Sequence, residues 1–474
     1  MTIPPPDKTP DKTVEWAALA AHAREAALDI PALLKDSDRT GRMVLTGADF
    51  TVFDFTHHRA SHETMRLLHD FARARDVAGA CTAMMAGRVV NPTENRPAWH
   101  TALRDPAPPA PVRGMLDGMR AFVNRIRADK SVTDVIHVGI GGSILGTQLV
   151  CDALRAEADG PRIHFIAGYD ATERHPLLER LDPAATLVVA ASKTFTTLET
   201  RFNLDCLKNW LGPARAGRIA AATANPQAAR EAGVDDANIL AFPDWVGGRF
   251  SVWSSVGVTI ALAHGFTVFE RFLAGAHAAD RHLAEAVPER NIPLTMALLQ
   301  LWYRNFLGCS AYAVLPYVQR LALLPAYLQQ LEMESNGKRV DCAGRETAYA
   351  TAPVVFGATG TAAQHAFMQM VHQGTDVVPC DFVGMVDDGV PGTADLNRHM
   401  RAQIRALAEG GGDRPETVTP GNRPATAILL PRIDAFTLGH LMAVEEHKTA
   451  ILGFLWNINP FDQFGVELGK KLLG

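Results

Sequence analysis

The chemistry-bearing residues of this chain gather in six short segments, and most are groups that bind an anion or move a proton. The first is Gly139-Ile140-Gly141-Gly142-Ser143-Ile144-Leu145-Gly146, between an expected strand and an expected helix. Such a turn exposes backbone N–H groups at the positive end of a helix dipole, which suits an anion, and the Ser143 hydroxyl can add a hydrogen bond. A dinucleotide fingerprint needs glycine at position 144, where isoleucine stands. Asp170 follows the next expected strand, so a dinucleotide fold stays open here, beside a tight turn with no ligand.

The second segment, Ser192-Lys193-Thr194-Phe195-Thr196-Thr197, follows a buried-looking run and carries four hydroxyls and a lysine in six residues. The carboxyl end of a strand is where α/β sheets bind ligands. Hydroxyl donors suit a phosphate monoester because they satisfy its oxygens without adding much charge; a plain Ser/Thr helix cap is the alternative. The third, Gly247-Gly248-Arg249-Phe250-Ser251-Val252-Trp253-Ser254, sets an arginine in a glycine turn beside aromatics, facing either a ligand or solvent.

The fourth segment runs Gln329-Gln330-Leu331-Glu332-Met333-Glu334-Ser335-Asn336-Gly337-Lys338. Glu334 precedes a Ser-Asn-Gly turn and could project from a helix end into a cleft, although an isolated carboxylate is more often solvated. The fifth is Gln364-His365-Ala366-Phe367, preceded by Gly360-Thr361, and the sixth is Phe461–Lys470, with Gln463 and Lys470. A lone histidine or lysine in such a setting is more often structural than catalytic.

The elements that must position these groups alternate between strands and helices. Asp134–Ile140, Arg162–Ala167 and Thr186–Ala191 read as buried strands, each followed by helical spacing, with Arg218–Thr223 and Asn238–Ala241 as weaker ones. This pattern indicates a parallel sheet covered on both faces. Val14–Leu34 and Leu116–Ala128 read as helical. After Gly257 the chain reads as largely helical through Leu331, with Leu294–Phe306 clearest. A second α/β section is expected at Ala352–Val355, Asp376–Val378 and Asp381–Val386, then a loop over Glu409–Pro424 and a long helix over Ile433–Leu455.

A length of 474 residues makes two domains the default, and 47% hydrophobic with 20% charged residues fits a large buried core. A net charge of -5 is weak for this length and gives no sign of a nucleic-acid surface, so an anionic ligand must be caught by local positive groups. The six cysteines hold no CxxC spacing, which argues against a zinc or redox motif and against a disulfide framework. The polar, proline-rich start does not read as a secretory leader, so none is expected, and no apolar run approaches the roughly 20 residues of a membrane helix. A cytoplasmic protein without membrane or nucleic-acid partners is the expectation.

The six segments, in this order, resemble the phosphoglucose isomerase family. Further matches are Asn91-Pro92-Thr93-Glu94-Asn95-Arg96, His100–Arg104 and Asp244–Arg249, and the likeness covers roughly residues 50 to 472. Ser192–Thr200, Met333–Lys338 and Trp456–Lys470 are its most specific stretches. Two positions depart from the family pattern: Ala362-Ala363 stands where Asn-Gly is usual, and Asp54-Phe55-Thr56-His57-His58-Arg59 replaces Asp-Phe-Ser-Lys-x-Arg.

The resemblance implies two α/β/α sandwich domains of the sugar-isomerase (SIS) type with parallel-rich sheets, plus helical N- and C-terminal extensions. It implies a division into residues 1–105, packing on the larger domain, 106–265 as the smaller sugar-phosphate domain, 266–432 as the larger one, and 433–474 completing the site. Gly142, Ser143, Ser192, Lys193, Thr194 and Thr197 resemble the residues around the sugar phosphate, and Arg249 the arginine facing an enediolate. Glu334 matches the isomerising base, with Gln330 one turn before it; Gln463 and Lys470 match the residues that close the site. His365 matches a ring-opening histidine that this family takes from the neighbouring subunit of a homodimer. The implied activity is aldose–ketose isomerisation of glucose 6-phosphate and fructose 6-phosphate, without metal or other cofactor. A non-catalytic sugar-phosphate sensor, a dinucleotide-dependent oxidoreductase and a mannose 6-phosphate specificity are the competing readings.

Overall fold

Thr186–Ala191 is buried at all six positions, as expected of a strand covered on both faces of a parallel sheet. It belongs to a computed structural model that describes residues 9–386 and 389–472. The chain divides into two units, Ala98–His277 with Asp434–Gly439, and Met1–Pro97 with Ala278–Ile433 and His440–Gly474. The folds are mixed α/β with parallel-rich sheets, in accord with the expected class.

Numbered along the whole chain, the strands begin with β1 (Val44–Thr46) and β2 (Val52–His57) in the second of these units. The first unit holds β3 (Asp134–Val138), β4 (Arg162–Ile166), β5 (Thr186–Ala191), β6 (Ile219–Thr223) and β7 (Ile239–Ala241). Those five match the expected strands to within two residues at each end. They form one parallel sheet in the order β4-β3-β5-β6-β7, with Ile136 opposite Val188 and Val188 opposite Ile219. One face packs Ile136, Val138 and Val188 against Leu204, Leu207 and Leu211 of the helix Leu198–Leu211. The helix Ala110–Ala128 starts earlier than its sequence spacing suggested. It buries Val112, Met115, Met119, Phe122, Val123 and Ile126 on one stripe, each side chain contributing about 1.5–3 kcal/mol on burial.

The second unit continues with β8 (Ala311–Pro316), β9 (Val354–Gly357), β10 (Cys380–Met385) and β11 (Ala425–Leu430). Its six-stranded sheet runs β1-β2-β11-β10-β8-β9. The last four strands are parallel, whereas β2 pairs antiparallel with β11 and β1 with β2. Phe382 lies opposite both Leu315 and Ala427.

The structure departs from the sequence reading in four places. The N-terminal region read as helical also supplies β1 and β2. β8 lies inside a stretch read as helical, and β11 just after one read as a loop, because short apolar runs such as AYAVLP and ATAILL carry no period that separates strand from buried helix. Asp376–Val378, expected as an edge or strand of the second α/β section, is not a strand. Pro379 follows it without an N–H, and the Arg423 guanidinium takes the carbonyls of Asp376, at 2.7 Å, and Gly374, at 2.5 Å.

Candidate active site

In the unit of the five-stranded sheet, the strand order reverses at β3 and β5. The carboxyl ends of two such neighbours are where open α/β sheets bind ligands, so the loops leaving β3 and β5 are the candidate binding loops. The loop after β3 is the glycine-rich turn. Gly141 has φ +57°, and a Cβ on Gly142 would lie 2.2 Å from the backbone carbon of Gly248 and 2.5 Å from the Arg249 nitrogen. Only glycine allows the two loops to meet so closely. The Ser251 hydroxyl seals the contact by donating to the carbonyls of Gly142, at 3.2 Å, and Gly248, at 2.6 Å.

His137, on β3, holds this turn from beneath, a role that sequence reasoning missed. Its Nε2–H donates to the Ser143 carbonyl at 2.8 Å, and its Nδ1 accepts from the Thr259 hydroxyl at 2.8 Å. Burial without a charged partner pushes the imidazole down to about 4, so it is neutral at pH 7 with a fixed tautomer. Only the strand-then-glycine pattern after it hinted at such a support.

The loop after β5 places Ser192 at the strand end, buried, with its hydroxyl 3.0 Å from that of Thr197 and accepting the Phe195 N–H at 3.1 Å. Phe195 takes φ +57°, which turns the chain sharply. Thr194 is exposed, and Lys193 and Thr197 are half-buried. Thr197 stands at the N-cap of the helix Leu198–Leu211 without a side-chain cap bond. The loop thus offers hydroxyls and helix N–H groups together, the donor set an anion needs.

Arg249 sits in the short helix Gly248–Phe250 and is only 4% exposed, which removes the reading as a surface arginine. Its guanidinium carbon lies 5.4 Å from the Phe250 ring centroid, and Phe250 stacks on His100 at 4.7 Å. Ser143, Ser192, Thr197 and Arg249 all belong to this unit.

In the six-stranded unit, Gln330 and Glu334 share the π-helical turn Gln329–Glu334. Such turns are rare and concentrate at functional sites. The Gln330 amide donates to the half-buried Glu334 carboxylate at 2.9 Å. The Met333 sulfur accepts the Val355 N–H at 3.4 Å, tying the turn to β9. His365 is exposed at the C-cap of the helix Gly360–Gln364. The departure at Ala362-Ala363 continues this helix, with Ala363 buried in the core, where Asn-Gly would be poorer helix formers.

Gln463 is half-buried beside the short helix Phe464–Val466. The preceding Asp462 carboxylate accepts from Thr93 at 2.7 Å and from Asn459 at 2.9 Å. The Asn91–Arg96 stretch therefore braces the segment that carries Gln463. Lys470 falls in the helix Glu467–Lys471, and its side chain lies outside the described residues.

The His57–Arg59 segment is tied into the six-stranded unit by hydrogen bonds. The Arg59 N–H donates to the Tyr303 hydroxyl at 2.8 Å, and Tyr303 lies 3.0 Å from His58 Nδ1. His58 Nε2 meets the Thr426 hydroxyl at 3.0 Å, linking the residue after β2 to β11. Burial pushes His58 down to about 3.

Residues 54–473 match the family described as phosphoglucose isomerase. The glucose-6-phosphate isomerase of Dechloromonas aromatica is 43% identical over 97% of this chain and 93% of its own length. Glucose-6-phosphate isomerase 2 of Cupriavidus pinatubonensis is 44% identical over 92% and 87%. The crystal structure of a glucose-6-phosphate isomerase from Chlamydia trachomatis superposes with a TM-score of 0.91 at 31% identity, covering 98% of this chain and 95% of that one. Loops, turn and likeness agree over nearly the whole length: the chain belongs to the phosphoglucose isomerase family.

Proposed function

We propose that this chain interconverts glucose 6-phosphate and fructose 6-phosphate as an aldose–ketose isomerase, in glycolysis and gluconeogenesis. The observation that carries the reading is 43% identity over 97% of the chain to a glucose-6-phosphate isomerase. The Gln330–Glu334 pair and the hydroxyl-lined loop after β5 supply the chemistry it needs.

Ring opening needs an acid on the ring oxygen and a base on the anomeric hydroxyl. His365 and Lys470 take these parts, imidazole being the side chain suited to proton transfer near neutral pH. Glu334 then removes the C2 proton. The C–H electron pair forms the C1–C2 double bond, and the carbonyl pair moves onto O1. The O2–H proton then passes to O1, the O2–H electron pair forms the C2 carbonyl, and the C1–C2 double-bond pair takes the proton back from Glu334 at C1, which completes the ketose. Arg249 stabilises the enediolate, whose charge exists only along the reaction, so its field lowers the barrier more than it favours the substrate. Gly142, Ser143, Ser192, Lys193, Thr194 and Thr197 hold the phosphate, and Gln330 and Gln463 orient the sugar and the base. Binding at the phosphate keeps C1 and C2 in register with Glu334, which is how a remote contact raises the rate.

The active form is a homodimer in which His365 serves the neighbouring subunit; its exposed position on its own chain supports this. All six cysteines are free thiols, which favours a reducing, cytoplasmic setting. No helix among the described residues is long and apolar enough to cross a membrane. By function, residues 106–265 form the phosphate-binding domain and 266–432 the second SIS-type domain. Residues 1–105 pack on the larger domain, and 433–474 complete the site.

The test is addition of fructose 6-phosphate to purified protein in EDTA, with glucose 6-phosphate coupled to NADPH formation. Rapid turnover is expected. A folded protein that binds the sugar phosphate without turning it over would overturn the reading.

A further inference from the structure

The π-turn Gln329–Glu334, which carries Glu334, is followed four residues later by Lys338. Its ammonium lies 3.0 Å from the Glu334 carbonyl and 2.9 Å from that of Ser335. The same ammonium lies 2.8 Å from the Asp462 carbonyl and 3.2 Å from the Asp462 carboxylate. Four oxygens thus share three N–H donors, and the Lys338 and Asp462 side chains are only 16% and 8% exposed. The surrounding turn is equally tight. Asn336 donates to the Thr449 carbonyl at 2.9 Å, and a Cβ on Gly337 would meet the Met333 carbonyl at 2.5 Å.

From this geometry we infer that Lys338 is a positioning residue for isomerisation. It clamps the backbone of Glu334 to the segment that presents Gln463. The inference rests on Glu334 being the proton-transfer base. A cation at the C-terminal end of a helical turn stabilises it whatever the turn carries. What sets this one apart is its second set of partners, on Asp462, immediately before Gln463. Loosening the clamp would let the Glu334 carboxylate drift from its line to C1 and C2, and a 1 Å misplacement costs on the order of a hundredfold in rate.

The experiment is a double-mutant cycle between Lys338→Met and Glu334→Asp, with Glu334→Gln as reference and fructose 6-phosphate as substrate. Lys338→Met should keep the parent circular dichroism spectrum, lose about 30-fold in kcat and change KM by less than about threefold. In the Glu334→Asp background, where the base is already displaced, the same substitution should cost less than about threefold, because coupled sites are non-additive. Unchanged kcat, a loss confined to KM, or fully multiplicative losses would each overturn the clamp. If Lys338→Met does not fold, the cycle is run with Lys338→Arg, whose planar fork cannot reach the same carbonyls as a tetrahedral head. Full activity in that variant would also overturn it. Turnover by Glu334→Gln would remove the base assignment itself, and the clamp with it. An inert Glu334→Gln beside a fully active Lys338→Met removes the clamp alone.

Discussion

The Gln330 amide donates to the Glu334 carboxylate across 2.9 Å within one π-helical turn, so a neutral donor fixes one oxygen of the proposed base. Replacing Glu334 with glutamine keeps the shape and removes the basicity. Isomerisation should fall by at least about a thousandfold, within the range for loss of an acid–base group. Titration calorimetry with fructose 6-phosphate should still show binding. A folded variant that no longer binds would take Glu334 out of the chemistry.

The hydroxyls of Ser192 and Thr197, 3.0 Å apart, belong to the proposed phosphate cradle. Deleting either should remove one hydrogen bond, worth about 0.5–1.5 kcal/mol, and raise KM about two- to tenfold. Steady-state kinetics of Ser192→Ala and Thr197→Ala decide this. If both variants behave as the parent, these hydroxyls do not face the phosphate.

Gly142→Ala should be disproportionately harmful. The new methyl would sit 2.2 Å from backbone of Gly248 and 2.5 Å from that of Arg249, so the arginine turn must move. We expect kcat/KM to fall more than about tenfold, since remote misplacements of this kind are costly. Gly114→Ala is the control: it lies in the helix Ala110–Ala128 with nothing within 4 Å of its would-be Cβ. It should gain about 0.5–1 kcal/mol in stability. Equal kinetics for the two variants would contradict the close approach.

Acid sensitivity should follow from His137. Its folded pKa, pushed down to about 4, lies below the ordinary imidazole value of 6.5, so the unfolded chain binds the extra proton between those values. Its contribution to stability is complete above about 6.5 and is lost as pH falls toward 4, at up to about 1.4 kcal/mol per pH unit. Urea midpoints at pH 7 and pH 5 should therefore converge in His137→Gln relative to the parent. An identical pH dependence in the two proteins would show that His137 is not buried neutral.

The five strands of the first sheet were legible because parallel strands covered on both faces read as continuous apolar runs, as in Thr186–Ala191. β8 and β11 were not, since AYAVLP and ATAILL have the length and apolar content of either a strand or part of a buried helix. Pairing with β10 makes both of them strands, and that is a tertiary circumstance.

Among the site residues, the sequence alone established residue type and local setting. Its spacing put glycines and hydroxyls at strand ends and Gln330 one turn from Glu334. Its motif order identified the family. Tertiary structure decided the rest. Gly142 meets Gly248 through loops more than 100 residues apart, as the Ser251–Gly142 bond at a separation of 109 shows. Lys338 reaches Asp462 across 124 residues. Arg249 is buried and His137 neutral because of what packs over them. Periodicity and turn chemistry act over a few residues and can be read along the chain. Close backbone approach, desolvation and long-range hydrogen bonds arise only when the elements pack together.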